Sequence, residues 1–287
     1  MKTSVVVVTW NSAAVIQACL DSIPSFSEYE VIVVDNASTD DTAARLEEYS
    51  GIKVIRNTGN RGYAHANNQG IRQASGEYVL LLNPDTRIRS GSLKLLTDFL
   101  DQDPRFGAVA PRLVYPDGRT QYSIRSLPTP STVLWEVLGL ARLFPRNRRI
   151  GSWRMLWFDY DKPSEVEQPM ASCLLVRKSA LDELNGLDED FPIFYNDVDL
   201  SNRMRRAGWK TWYLPSACVE HRRGSSTGQD RPRMIYEGHR SMFRYLRKHA
   251  QGRLFWLKAV FLLPLLEVSA LLRALAYRLS SRKAEQA

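Results

Sequence analysis

Along the first third of the chain, runs of consecutive apolar residues alternate with segments whose apolar residues recur every three or four positions. Ser4–Thr9 breaks at Trp10-Asn11-Ser12, Glu30–Val34 ends in Asp35-Asn36, and Lys53–Arg56 meets the turn Asn57–Gly62. Tyr78–Leu82 is closed by Asn83-Pro84-Asp85. Unbroken apolar runs of this length predict strands covered on both faces, as in a mostly parallel sheet. Between them the spacing predicts helices over Ala13–Ile23 with Ser12 as N-cap, from Thr39 or Asp40 to about Tyr49, and over Tyr63–Ala74. Strands alternating with helices in this way specify a βαβ sheet with right-handed crossovers. Pro84 cannot continue a ladder, so the chain leaves the sheet there and delivers Asp85 to its carboxyl edge, where open α/β folds keep their ligands.

Further on, the pattern predicts a helix at Ser92–Leu100 and strands at Gly107–Pro111, Met170–Arg177 and Lys210–Leu214. It also predicts a helix at Ser179–Leu184, and a strand end at Phe194 that leads into a helix through Arg206. Tyr115–Pro169 shows no clear alternation and reads as an insertion with one amphipathic helix, Thr132–Leu143. Phe255–Leu279 is mostly apolar, but Lys258, Glu267, Arg273 and Arg278 fall within the ~20 residues a spanning helix needs. After Pro264, Leu265, Val268, Leu272, Leu275 and Leu279 share one helical face, with Glu267, Arg278 and Arg282 roughly opposite. That pattern fits a helix lying in a membrane interface. Packing on the domain or on a second subunit is the other reading.

Charge changes the picture in one place. The 287-residue chain has a formal charge of +8, and from Arg222 to Lys258 ten Arg or Lys stand against Asp230 and Glu237 alone. Such a segment suggests an anionic neighbour, a phosphate-bearing substrate, a lipid surface or nucleic acid; a solvated face is the other reading. No recognised nucleic-acid module or repeated aromatic-basic pattern accompanies it, so nucleic acid is not expected as a partner. Cys19, Cys173 and Cys218 show no metal spacing and sit among apolar residues, which predicts buried free thiols in a reducing compartment. Lys2 leads directly into the first strand, so no signal peptide is expected.

Three strand ends meet on one edge of the predicted sheet: Thr9-Trp10-Asn11, Asp35-Asn36 and Asn83-Pro84-Asp85. Neither Gly-x-Gly-x-x-Gly nor a Walker-type loop follows the first strand, which argues against dinucleotide and P-loop chemistry. The polar residues there can instead read a base and ribose, with Asp35 the best single candidate because a carboxylate accepts from an imide or a ribose hydroxyl. Taken alone, Asp35 equally suits a turn. GNRGYAHANNQG adds Arg61 and a helix start, both suited to phosphate, while Asn67 and Asn68 sit mid-helix against propensity and so suit hydrogen bonding. In YNDVDL, Asp197 and Asp199 either complement a helix dipole or supply a general base, and Asn196 or Asp197 can cap the helix. EHRRGSS follows a strand and offers His221 as a possible metal ligand and Arg222 as a phosphate or acceptor contact.

Taken in order, VVDNASTD, GNRGYAHANNQG, LLLNPD, CLLVRKSAL…GLDEDF, YNDVDL and EHRRGSS resemble family 2 glycosyltransferases, and more closely their bacterial rhamnosyltransferase-like branch. The resemblance covers roughly Thr3 to Ser226. It implies a GT-A fold, a Rossmann-like three-layer α/β arrangement with a mostly parallel central sheet, here followed by C-terminal amphipathic helices. It places that domain at residues 1–245, with a sugar-nucleotide half at about 1–114 and an acceptor half at about 115–245. A basic, apolar membrane-associating segment then occupies 246–287. It further implies inverting single-displacement transfer from a nucleotide sugar. A thymidine- or uridine-linked sugar is expected, with dTDP-rhamnose favoured by resemblance alone. The basic segment and the apolar C-terminus together point to a glycan or polyprenyl-diphosphate-linked acceptor at the inner membrane face of the cytoplasm.

By position, Asp85 matches the last residue of the family's Asp-x-Asp metal motif, whose first residue is Asn83 here. His221 matches a residue that completes the Mg²⁺ or Mn²⁺ and diphosphate site. Asp197 matches the general base, with Asn196 where the family usually has Glu, and Asp35 matches the base contact. Thr9, Asn11, Asn36, Arg61, Asn67 and Asn83 are the remaining candidates around the nucleotide. Asp199, Arg203 and Arg222 are candidates for the acceptor or phosphate side, with Asp199 and Arg203 better suited to organising the site. The rivals are a sugar-phosphate nucleotidyltransferase, which would show a basic glycine-rich loop after the first strand, and an inactive membrane-attached binding protein, which would lack Asp85 or Asp197.

Overall fold

The computed structural model describes residues 1–222, 231–249, 264–271 and 277. The unbroken apolar runs form strands: β1 (Thr3–Thr9), then α1 (Ile16–Leu20), β2 (Glu30–Asp35), α2 (Thr42–Glu47), β3 (Ile52–Arg56), α3 (Tyr63–Gln73) and β4 (Tyr78–Leu82). They continue as β5 (Thr86–Ile88), α4 (Ser92–Leu100), β6 (Phe106–Val114), β7 (Ile124–Arg125), α5 (Pro130–Val137), α6 (Leu140–Leu143), β8 (Ser164–Glu165) and β9 (Gln168–Pro169). The remaining elements are β10 (Cys173–Arg177), α7 (Lys178–Glu183), α8 (Asn196–Arg206), β11 (Lys210–His221) and α9 (Arg231–His249).

Among the described residues the strands form a nine-stranded sheet in the order β3-β2-β1-β4-β10-β6-β11-β5, with β8 paired to β11. β1, β2, β3, β4, β6 and β11 run one way. β10 runs against β4 and β6, and β5 and β8 run against β11. In register, Thr9 stands beside Asp35, and Val7 beside Leu82. β1 and β2 therefore end level, β4 stops two residues short of them, and the chain beyond Leu82 leaves from the same edge at which β11 ends in His221.

Side chains alternate across a strand, and both sets are buried here. Val5, Val7, Val33, Leu80, Leu82 and Leu175 pack with Ile16, Leu46 and Leu96 of α1, α2 and α4. Val6, Val8, Ile32, Leu81 and Leu174 pack with Ala64, Ile71, Leu181, Leu200 and Met204 of α3, α7 and α8. Helices cover both faces, which gives three layers and explains why the strands read as continuous apolar runs. Gly70 shows how close the layers lie: a Cβ there would collide with Val6 Cγ1.

The chain divides into two compact units, Met1–Arg125 with Phe158–Ser226, and Ser126–Trp157 with Thr227–Ala287. The first holds the sheet and its helices. In the second, Thr129 caps α5 with a Thr129–Thr132 capping box and Pro130 in the first turn. Buried Glu136 takes a two-pronged ion pair from Arg154, at 2.7 and 2.6 Å.

Several expectations need correction. The first helix is short, Ile16–Leu20, and the Ser12 hydroxyl does not cap it: that hydroxyl bonds Trp10, while the Ser12 carbonyl accepts the Val15 and Ile16 N–H groups. Asp41 sits at the start of α2, while the Asp40 carboxylate accepts the Thr42 N–H. The single helix at Thr132–Leu143 is broken at Gly139, whose φ is 75°. No strand precedes α8, which starts after Tyr195 in the left-handed region, φ 68°, so neither Asn196 nor Asp197 is its N-cap. β11 runs on to His221, well past Leu214, because β6 and β5 both pair with its far end. Of the three thiols, all free, Cys19 and Cys173 are buried and Cys218 is half-buried. Leu272, Leu275, Leu279, Arg278 and Arg282 lie outside the described residues, as does Arg223–Ser226 of EHRRGSS. Among the described residues, no helix is long and apolar enough to cross a membrane.

Candidate active site

The carboxyl ends of β1, β2 and β4 bring Thr9, Asp35 and Asn83 to one edge, and the loops beyond them are laced together by their own polar groups. Asn11, with φ 47°, donates its N–H to Ser38 Oγ and accepts from Thr39 N–H at 2.8 Å through Oδ1. Asp35 accepts at Oδ1 from the Ser38 N–H and hydroxyl. Asn36 is fully engaged: its amide donates to Asn60 Oδ1 and the Gly62 carbonyl and accepts from Asn57. It thereby shapes the glycine-rich turn rather than facing outward. Gly62, at φ 94°, could carry no side chain, since a Cβ would stand 2.7 Å from Pro192 Cβ. Asn68 clamps the loop before α8 by bonding Leu187 in both directions, and Arg61 is exposed.

Asn67 gives its amide hydrogens to the Tyr63 carbonyl, while its Oδ1 is buried with no protein partner. Thr9 Oγ1 and Gln168 Oε1 are in the same condition. Buried acceptors without donors are uncommon in a folded protein and mark where a ligand or water completes the structure.

Pairing of β5 with β11 sets His221 opposite Thr86. That register brings His221 Nε2 to 3.4 Å from Asp85 Oδ1, with both side chains almost covered, at 4% and 8% exposure. The Arg222 N–H caps the Asp85 carbonyl at 2.9 Å, and the Arg222 side chain is exposed. An imidazole nitrogen and a carboxylate oxygen meeting in this way suit a divalent cation such as Mg²⁺ or Mn²⁺. Among the described residues no third His, Cys, Asp or Glu joins them. The remaining positions would thus fall to phosphate oxygens and water, as Mg²⁺ prefers.

Asp197 stands in the first turn of α8. Its Oδ1 accepts the Val198 N–H and its Oδ2 takes Gln168 Nε2 at 3.2 Å. The small β7–β9 ribbon pairs Gln168 with Arg125 across its strands and so fixes this neighbour. Burial pushes the Asp197 carboxyl above the ordinary carboxylate range, against the pull of the Val198 and Ala171 N–H groups and Arg125. Tyr63 lies within the field of both carboxylates: burial, then Asp197 and Asp85, push its phenol up.

Asp199 and Arg203 are engaged within the protein. Arg203 Nε meets Asp199 Oδ2 at 2.5 Å, and its other nitrogens bond the Leu184 and Gly186 carbonyls. The pair staples the loop before α8 to the helix, beneath the site. Replacing Arg203 with Met is expected to lower unfolding free energy by about 3–5 kcal/mol, read from the urea midpoint. Asp199, wholly buried, would lose this partner.

Sequence reasoning missed Gln121, Gln168 and Arg125, which lie in the irregular Tyr115–Pro169 stretch and carry no local signal. Tyr63 sat in plain view inside GNRGYAHANNQG.

A mostly parallel α/β sheet with carboxylates at its carboxyl edge and helices on both faces is the GT-A architecture of nucleotide-sugar-dependent transferases. The Glycosyl transferase family 2 model matches residues 4–163. Over 265 residues the chain is 33% identical to the N-acetylglucosaminyl-diphospho-decaprenol L-rhamnosyltransferase of Mycobacterium tuberculosis, covering 86% of this chain and 85% of that protein. The chain belongs to glycosyl transferase family 2 and is a glycosyltransferase. Two solved structures share its fold. One is the mannosyltransferase PcManGT from Pyrobaculum calidifontis in complex with GDP-Man and Mn2+, with a TM-score of 0.60 at 18% identity over 99% of this chain and 80% of the other. The other is S. aureus TarS 1-349 in complex with UDP-GlcNAc, with a TM-score of 0.57 at 21% identity over 88% and 68%.

Proposed function

We propose that this enzyme transfers rhamnose from dTDP-rhamnose, with inversion, to a sugar hydroxyl on a polyprenyl-diphosphate-linked acceptor in cell-surface polysaccharide synthesis. The observation that carries the reading is the meeting of Asp85 with His221 at the strand edge, on a chain similar almost end to end to a rhamnosyltransferase acting on a diphospho-polyprenol.

In this reading residues 1–114 hold the nucleotide, with Thr9, Asn11, Asp35, Asn67 and Asn83 around base and ribose, and residues 115–245 hold the acceptor. Asn36 acts indirectly, through the turn that presents Arg61. Asp85 and His221 hold Mg²⁺ or Mn²⁺, which when bound supplies positive charge against the departing diphosphate. Asp197 takes the proton of the acceptor hydroxyl as that oxygen bonds to the anomeric carbon and the bond to the diphosphate breaks. A carboxylate with a raised pKa is the better base for this step. Gln168 and the first turn of α8 keep the Asp197 oxygens oriented, Asp199 and Arg203 hold that turn in place, and exposed Arg222 meets phosphate.

The C-terminal segment 246–287 brings the enzyme to the inner face of the membrane. Within residues 264–271, Leu266 and Ala270 are covered while Leu265, Val268 and Leu271 are exposed, which supports an apolar face turned to lipid.

The test is transfer to polyprenyl-diphosphate-GlcNAc in anionic vesicles, offering dTDP-rhamnose, UDP-GlcNAc and GDP-mannose in turn. Product is expected from dTDP-rhamnose alone, and far less from a chain lacking Arg253–Ala287. Product from another donor would overturn the donor assignment, and none from any donor would favour an inactive binding protein. Undiminished lipid-acceptor activity after the deletion would sink the membrane role.

A further inference from the structure

Gln121 belongs to no motif, yet it is buried, at 2% exposure, directly behind His221. Its Nε2 lies 2.6 Å from the His221 carbonyl and 3.4 Å from the Val114 carbonyl. Carbonyl oxygens only accept, so the amide's NH₂ end must point there, and the hydrogen-bond network settles the flip. Its Oε1 then faces His221 Nδ1 at 3.0 Å. An amide oxygen cannot donate, so Nδ1 carries the hydrogen. In the neutral ring the lone pair is thereby left on Nε2, the atom that faces Asp85 Oδ1 at 3.4 Å. A proton or a metal cation between the Nε2 lone pair and the Asp85 carboxylate relieves their repulsion, and this pairing of donors suits a divalent cation.

We infer that Gln121 is the positioning residue of the cation site: it locks His221 in the Nδ1–H tautomer and aims the Nε2 lone pair toward Asp85. The inference rests on the metal reading above and adds to it a residue from outside every motif. Outer partners of this kind fix the tautomer and ring orientation of metal-binding histidines, and their loss typically weakens the metal about 10–100-fold.

Two measurements on the full chain test it. Histidine side-chain ¹⁵N spectra of the metal-free protein, above the range where imidazole titrates, are expected to show His221 as the Nδ1–H tautomer and Gln121→Met without that preference. Free Mn²⁺ counted by electron paramagnetic resonance is expected to show binding weakened about 10–100-fold in Gln121→Met. Met conserves volume, and the wild-type spectrum is informative even if the variant does not fold. An Nε2–H tautomer in the wild type, or wild-type Mn²⁺ affinity in Gln121→Met, would overturn the inference and leave the metal reading standing. A wild type that binds no Mn²⁺ would overturn both.

Discussion

Asp197→Asn is expected to lower the transfer rate by at least about 10²–10⁴-fold while nucleotide affinity stays within about twofold, since general-base assistance is typically worth that much. Asn keeps the shape and one oxygen for the Val198 N–H or Gln168, so the start of α8 has no reason to rearrange. What it lacks is a lone pair basic enough to take the acceptor's proton. Burial raises the Asp197 carboxyl, so the acid limb of wild-type kcat/KM should lie above the ordinary Asp value of about 3.9.

The same shift predicts stability. A carboxyl whose folded pKa exceeds its unfolded one contributes stability below the unfolded pKa, and this is lost as pH rises through the folded pKa. At neutral pH the ionised Asp197 is therefore a cost to the fold. Asp197→Asn should melt at the same temperature as the wild type or higher, the trade between activity and stability seen where a site holds a strained charge. Full transfer activity in this variant would remove Asp197 as the base. A lowered melting temperature with lost nucleotide binding would point to a structural role instead.

Asp85→Asn is expected to separate metal from nucleotide. Calorimetric titration of the wild type with dTDP should give tight binding in the presence of Mn²⁺ and weak binding without it. The variant should give the weak value in both conditions. Charge stabilisation of the departing diphosphate is worth several kcal/mol, so transfer should fall by about 10²-fold or more at saturating donor. Asn retains the main-chain carbonyl that accepts the Arg222 N–H, so β5 and the end of β11 should keep their pairing. Metal-independent dTDP binding in the wild type, or full wild-type transfer in the presence of chelator, would contradict the role assigned to Asp85 and His221.

The two variants attack opposite ends of the reaction, from different elements of the fold. Asp85 hangs from a strand end beside β11, whereas Asp197 sits on a helix start steadied by the β7–β9 ribbon. Tyr63, which feels both charges, is the side chain through which residual coupling would show in a double-mutant cycle.

The central sheet was legible in the residues alone. A strand covered on both faces must be apolar throughout, so Val5–Val8, Val31–Val34 and Val79–Leu82 announce themselves. Pro84 announces where the last of them must stop. These are local signals, written within five or six residues, and they were enough to put Thr9, Asp35 and Asp85 on one edge.

What only the tertiary structure decided is which distant groups meet that edge. His221 reaches Asp85 through the short strand β5, whose three residues carry no readable period, and through a register spanning more than a hundred residues. Gln121 and Gln168 come from a stretch without alternation, and a lone glutamine looks the same in sequence whether it is solvated or buried. The opposite surprise has the same origin: Asn36 looks like a ligand contact, yet the fold surrounds it with protein partners. Burial pattern is a property of a segment and survives in its composition. Polar partnership is a property of a pair, and for residues far apart in the chain only the folded register determines it.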